Sequence, residues 1–370
     1  MKIAVVGGGL LGRLTAWQLA LEGKHVALYD AAGPKAEAAA AYVAAGMITP
    51  MAEAAVADNA IVAMGFQSLK RWPQFLAKLS DPVFFRHHGT LVVWHRQEAA
   101  EARQFAAMIH QHSLTGSLPG VIQPIDANGV ADKVPVLAGK FREGYFLPDE
   151  GQVDNRQVLS ALANAAEIAG VVCHWYTPIS KDNWPIADMV IDCRGLGAKD
   201  AWKGLRGVRG EVLRLYAPEV ELSAMVRLLH PRYSLYLVPR ENGRLVMGAT
   251  SLESEDMSPM SVRSALEMLS AAYSIHPGLA EARIEEMSTQ CRPALPDNHP
   301  AIECHERNQQ IVIQANGLFR HGFLLAPVVS DEVVALVNET LDKGAELATA
   351  SRQQATAWPT LYGAALEKVV

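Results

Sequence analysis

The chain has 370 residues, of which 50% are hydrophobic, enough for a large core and about two domains. Its 33 basic and 39 acidic residues give a formal net charge of −6 with no long single-sign run, which argues against nucleic-acid or anionic-membrane binding and leaves small molecules as the expected partners. The four cysteines, Cys173, Cys193, Cys291 and Cys304, are scattered without C-x-x-C pairing, so no metal site or disulfide framework is expected and a reducing cytoplasm fits.

Lys2 to Val6 is an apolar run suited to a buried parallel strand, and Gly7, Gly9 and Gly12 follow in G-x-G-x-x-G spacing. Gly7 permits the tight turn, Gly9 leaves room for a pyrophosphate, and Gly12 lets a helix pack closely on the strand. That helix, Leu10 to Leu21, would meet phosphates at its N-terminus through the free amides around Leu10 and Leu11. The apolar start is not expected to act as a signal peptide, because Gly7 to Gly9 and Arg13 break its core. No later apolar stretch reaches the roughly 20 residues of a membrane span. A second strand, HVALYD, ends on Asp30, close to the roughly 20-residue spacing at which a ribose-binding acid belongs. A carboxylate there disfavours a 2′-phosphate, so NADP is the least expected occupant.

The alanine-rich segment AEAAAAYVAAGMITPMAE departs from a tidy second β-α-β unit. Small residues there suit close passage beside a bulky cofactor, and a plain helix over Glu37 to Ala45 is an equal reading. Phe84 to Trp94 reads as an extended segment and strand, and a polar helix covers Glu98 to His112. Arg86, His87 and His88 before Gly89 read as a solvated turn. Tyr145 to Val153 is a turn-rich return, Asp154 caps a helix over Arg156 to Ala169, and strands follow at Val171 to Tyr176 and Met189 to Ile191. Val208 to Tyr216 and Tyr233 to Thr250 alternate in β fashion, with a hairpin at Asn242-Gly243. Pro259 to Tyr273 is helical, and IVIQANG is a last strand leading into a helix that begins near Phe323 to Pro327. The tail beyond Thr340 is polar and alanine-rich and reads as a fraying end.

These elements predict an α/β fold: a discontinuous Rossmann-like dinucleotide domain (1–80, 145–210 and 286–370) with an α+β substrate domain (81–144 and 211–285) built on an antiparallel sheet. A ligand pocket is expected between the two.

Over nearly its whole length the chain resembles the FAD-dependent amine and amino-acid oxidases of the D-amino-acid oxidase superfamily, most closely the glycine oxidase and sarcosine oxidase branch. The resemblance is carried by GGGLLG with Asp30, Ala44 to Met47, DEGQVDNRQVLSAL, YLVPRENGRLVMGAT, CRPALPDNHPAI and ANGLFRHGFLLAP. It implies FAD held by Gly7, Gly9, Leu10, Leu11, Gly12, Asp30, Ala45, Gly46, Met47, Gly195, Gly317, Phe319, Arg320, His321, Gly322, Phe323 and Leu324. The backbone from Arg320 to Leu324 would then stabilise negative charge on the reduced flavin. It also implies Arg292 as the partner of a substrate carboxylate, Tyr236 as a second contact with Tyr233 as its substitute, and Arg320 above the flavin. His321 faces either the ring or solvent. Cys291 lies near the position of a flavin-linking cysteine in sarcosine oxidases, although non-covalent FAD is the better expectation.

Two departures stand out. Asp30 replaces the longer glutamate common in the superfamily, and DCRGLGA puts Cys193 and Arg194 where relatives carry small residues, leaving Arg194 near the cofactor or turned outward. The implied reaction is oxidation of the C–N bond of a small amino acid or secondary amine, with oxygen as electron acceptor. A dehydrogenase using a quinone or protein acceptor, an NAD enzyme and a non-catalytic flavoprotein partner are the rival readings. Substrate side chain and oligomeric state stay open.

Overall fold

The computed structural model describes residues 1–114, 120–230, 235–307 and 310–362. Lys2–Val6 forms β1, Leu10–Leu21 forms α1 after an extended Gly9, and His25–Tyr29 forms β2. The alanine-rich segment yields only a four-residue helix, α2 (Ala40–Val43), before β3 (Met47–Ile48) and α3 (Pro50–Glu53). A plain helix over Glu37 to Ala45 is thereby corrected: alanine's small propensity advantage gives way to tertiary contacts and to the left-handed turn at Gly46, φ 60°.

α4 (Asn59–Leu76) lies outside the predicted elements, although Asp58 caps it through Ile61 N. β4 (Phe85–Arg86), β5 (Thr90–Val93), α5 (Ala99–Leu114), β6 (Gln123–Asp126) and α6 (Ala127–Lys133) follow. The return at Tyr145 to Val153 contains two strands, β7 (Glu143–Leu147) and β8 (Gly151–Val153). Asp154 accepts from Arg156 N and Gln157 N to start α7 (Asn155–Ile168), as its position predicts. β9 (Val172–His174) and β10 (Met189–Asp192) precede the long β11 (Arg206–Tyr216) and then β12 (Met225–Leu228). β13 (Leu235–Pro239) and β14 (Arg244–Gly248) form the predicted hairpin, with Asn242 and Gly243 at φ 58° and 68°. α8 (Val262–Ile275), β15 (Arg283–Ala294), β16 (Ala301–Arg307), β17 (Gln310–Asn316), α9 (Gly322–Lys343) and α10 (Ala345–Ala355) complete the order. The tail is helical as far as Ala355 rather than frayed from Thr340.

The sheets explain these choices. β1 is apolar on both faces because it is central in the order β16-β17-β10-β1-β2-β9, parallel except at β16-β17, with α1 and α9 packed beside it. The second sheet runs β15-β11-β14-β13-β12-β5-β7-β6. It is antiparallel apart from one pair, β5 with β12, which run parallel. β7, β11 and β15 extend across the expected domain boundaries at 145, 210 and 286. One face of this sheet packs Leu213, Leu237 and Met247 against Met268 and Ile275 of α8. The opposite face carries Val212, Met225 and Val238, which pack with Val43, Ala45 and, at the margin, Met47 and Tyr236. That contact joins the alanine-rich segment to the second sheet.

Candidate active site

At the turn between β1 and α1, geometry demands glycine at two positions. A Cβ on Gly7, φ 104°, would lie 2.5 Å from the Cys193 carbonyl oxygen, and one on Gly12 would lie 1.8 Å from the Gly7 carbonyl oxygen. Gly9 differs: a Cβ there meets nothing closer than Ala39 at 3.9 Å, so the glycine keeps open space before the helix. No side chain caps α1, and its first-turn amides have no intrahelical acceptor. Leu10 and Leu11 contribute backbone alone, since both side chains are core. Asp30 Oδ2 accepts from Gly8 N at 2.5 Å and Oδ1 from Ala32 N at 2.7 Å. Each oxygen retains a further lone pair for a ribose hydroxyl.

Arg13, which was not among the expected site residues, locks this turn through its guanidinium. It is fully buried and donates to the carbonyls of Gly8 (2.6 Å), Pro34 (2.8 Å) and Leu159 (2.6 Å). Burial lowers its pKa to about 10, against the pull of Asp30. Arg194, whose direction was open, turns away into ion pairs with Asp192 (2.8 Å) and Asp200 (3.0 Å).

The middle segment is held by Arg240, also missed. Its guanidinium donates to Ala45 O (2.6 Å) and to Gln152 Oε1 (2.5 Å), tying β3 and β8 to the β13–β14 hairpin. Gly46 is obligatory, because a Cβ would lie 2.0 Å from the Val153 carbonyl oxygen. Gly195 sits at φ 56° and its carbonyl accepts from Asn316. Gly317, at φ 79°, passes against the His299 carbonyl.

Beyond β17 the chain turns through Phe319, φ 49°, into α9, which also lacks a side-chain cap. A Cβ on Gly322 would meet nothing within 4 Å. Phe323 stacks on Trp72, and Leu324 packs over Gly65, so both point into the core and only their backbone is available. His321 is turned from solvent: its Nε2 donates to Glu53 Oε2 at 2.9 Å and its side chain is buried. Glu53, at the end of α3, supplies His321 with a buried acceptor that no local pattern reveals. Arg320 Nη2 donates to the same oxygen at 2.6 Å. Burial alone would raise the Glu53 pKa, but the His321 hydrogen bond and the charges of Arg320 and Arg227 hold it well below the usual carboxylate range.

Tyr236 and Arg292 meet this cluster from the second sheet. Tyr236 lies on the face that packs toward Ala45 and Met47 rather than in the α8 core. Its ring crosses Gly248, where a Cβ would come within 2.9 Å of the hydroxyl. Burial raises its pKa, and Arg292 and Arg227 oppose that shift. Arg292 lies over Gly210, donating from Nη1 and Nη2 to Thr250 O at 3.1 Å each. Its burial depresses the guanidinium pKa, with Tyr236 acting the other way. Tyr233 lies outside the described residues. Cys291 is buried, with its thiol against the Ser254 carbonyl and its pKa raised by burial, which lends no support to a covalent flavin link. His87 and His88 are exposed, as a solvated turn requires, whereas Arg86 belongs to β4 and pairs with Gln152 of β8.

The sequence pattern of the family described as FAD dependent oxidoreductase (DAO) matches residues 2–336. The chain belongs to this family. The oxidoreductase is 37% identical over 333 residues to a thiamine biosynthesis oxidoreductase, ThiO, of Rhizobium etli, covering 90% of this chain and 95% of that protein. It is 26% identical to the glycine oxidase of Bacillus subtilis, covering 91% and 92%. The crystal structure of glycine oxidase from Geobacillus kaustophilus superposes with a TM-score of 0.78 at 23% identity, covering 91% of this chain and 95% of that one, and so shares its fold. The residues of this oxidoreductase fit FAD: two uncapped helix N-termini, at α1 and α9, open onto space beside Gly9 and Gly322. Among the described residues, no helix is long and apolar enough to cross a membrane, and no cluster of metal-ligating side chains occurs.

Proposed function

We propose that this FAD-dependent oxidoreductase oxidises the C–N bond of a small amino acid or secondary amine. The observation that carries the reading is Arg292: a partly buried guanidinium bound, among the described residues, only to main-chain carbonyls, beside Tyr236 and on the side facing the Ala45 to Met47 segment. Such a group is available to grip a carboxylate with two parallel hydrogen bonds. The Tyr236 hydroxyl donates to the same carboxylate or to the amine, fixing the α-carbon. In this reading the nucleotide half is held by Gly7, Gly9, Gly12 and Asp30 and by the Leu10 and Leu11 amides. The flavin half lies along Ala45 to Met47, Gly195 and Gly317 to Leu324.

When bound, FAD would supply the two-electron acceptor for this oxidation, with oxygen as the terminal oxidant and hydrogen peroxide as its product. The amine must bind neutral, because its lone pair stabilises the carbon losing hydride. No side-chain base is needed for that transfer, and the resulting imine is hydrolysed in water. The protein orients the substrate, excludes bulk water and presents the α9 amides to developing negative charge. The discontinuous division into nucleotide and substrate domains belongs to this proposal. So does a cytoplasmic location, for which the four free thiols speak.

Anaerobic mixing of the holoenzyme with glycine, sarcosine and D-amino acids tests the reading. Bleaching of the flavin absorbance is expected with at least one of them, and no bleaching with any amine overturns it. Oxygen uptake after readmission of air distinguishes oxygen from a quinone as acceptor.

A further inference from the structure

Arg227 is a third guanidinium in the cluster and has no part in the reading above. It projects from β12 directly across the strand pair from Tyr236, so both side chains leave the same face of the sheet. Its guanidinium carbon lies 5.7 Å from the ring centroid of Phe105 on α5. The Nε is buried and has no hydrogen-bond partner among the described residues, while the side chain as a whole is only partly buried. Glu53 and Glu150 act on it through space, but neither reaches ion-pair distance among the described residues. Glu53 is already bound by Arg320 and His321, and Glu150 Oε1 by the Ala52 amide.

A buried arginine with a structural task ends in acceptors, because a desolvated donor left unpaired is costly. Arg13 binds three carbonyls, and Arg240 binds Ala45 and Gln152. Arg227 has no such set among the described residues. Two guanidiniums without a carboxylate partner, Arg292 and Arg227, therefore both act on Tyr236, whose pKa each of them pulls down. One substrate carboxylate satisfies one of them.

Building on the amine-oxidation reading, we infer that Arg227 binds a second carboxylate of the substrate, so that the preferred class is an amino acid whose nitrogen substituent or side chain ends in a carboxylate. Arg292 takes the α-carboxylate, Tyr236 holds the centre, and Arg227 receives the far anion from the β12 side. A monocarboxylate leaves Arg227 unpaired in a desolvated site, which builds discrimination into the ground state.

The test uses two ether acids in which oxygen replaces the amine nitrogen, methoxyacetate with one carboxylate and oxydiacetate with two. Their binding to the holoenzyme is measured by calorimetry, which needs no turnover. The expected result is oxydiacetate binding at least about tenfold more tightly, the scale of one charge-assisted hydrogen bond. That advantage should vanish in Arg227→Leu and largely survive in Arg227→Lys. Equal affinity of the two acids in the unmodified protein overturns the inference without recourse to a variant. So does an Arg227→Leu protein that keeps the tenfold difference. Failure of the amine-oxidation reading is seen separately, as an unbleached flavin with every amine, and leaves the ratio of the two affinities intact.

Discussion

At the residue scale, position matters as much as charge. Arg292 is held over Gly210 by the Thr250 carbonyl, and a Cβ on Gly210 would lie 2.3 Å from Arg292 Nη2. Arg292→Lys should lower kcat/KM by about a hundredfold, chiefly through KM, because an ammonium cannot reproduce the guanidinium fork. Gly210→Ala should give a comparable loss although it removes no charge. Steady-state kinetics on both variants check this, and a Gly210→Ala enzyme with unchanged kcat/KM would show that Arg292 is not the carboxylate anchor. Glu150 gives a pH signature. Burial raises its pKa to about 8, despite the opposing hydrogen bond from the Ala52 amide and the charge of Arg227. Between its ordinary value and about 8 the unfolded chain has released a proton that the folded protein keeps, so this group makes stability fall as pH rises. Glu150→Gln cannot titrate. Its melting temperature should decline less between pH 6 and 9 than that of the unmodified protein, and parallel declines would refute the assignment.

At the element scale, the two uncapped helices have different tolerances. In α1 the space is closed at Gly12, so Gly12→Ala should separate α1 from β1, lower the melting temperature and abolish FAD retention. In α9 the space is open at Gly322, where the backbone is already helical, φ −49° and ψ −55°. Gly322→Ala should therefore stabilise the apoprotein by about 0.5–1 kcal/mol while weakening FAD binding, if the flavin lies over that position. Denaturant unfolding of the apoprotein and a flavin titration read the two effects separately. Tighter FAD binding in this variant would move the flavin away from the start of α9. The same helix is anchored sideways by Glu53, which draws Arg320 and His321 onto α3.

At the scale of the whole molecule, a few buried polar anchors join the sheets. Arg240 leaves the β13–β14 hairpin of one sheet and ends on Ala45 and Gln152, in the segment beside the other. Arg240→Met should strand those acceptors and destabilise the protein by about 2–4 kcal/mol. Early FAD release on heating, measured by flavin fluorescence, is the accompanying sign, and unfolding at the normal temperature with FAD retained would contradict it. The sequence by itself determined the parts whose cause is local. The glycine turn, α1, the Asp154 cap and the Asn242-Gly243 hairpin follow from dihedral preference and hydrogen bonding among near neighbours. The family motifs carried Arg292 and Tyr236. Only the tertiary structure decided the face of Tyr236, the pairing of Arg194 with Asp192 and Asp200, the capture of His321 by Glu53 and the approach of Arg227. Those outcomes depend on contacts between residues as far apart as Glu53 and Arg320, and such pairings leave no periodicity or spacing in the chain. What the backbone can do within a few residues is written in the order of the side chains, whereas a buried charge finds its partner only when the sheets close around it.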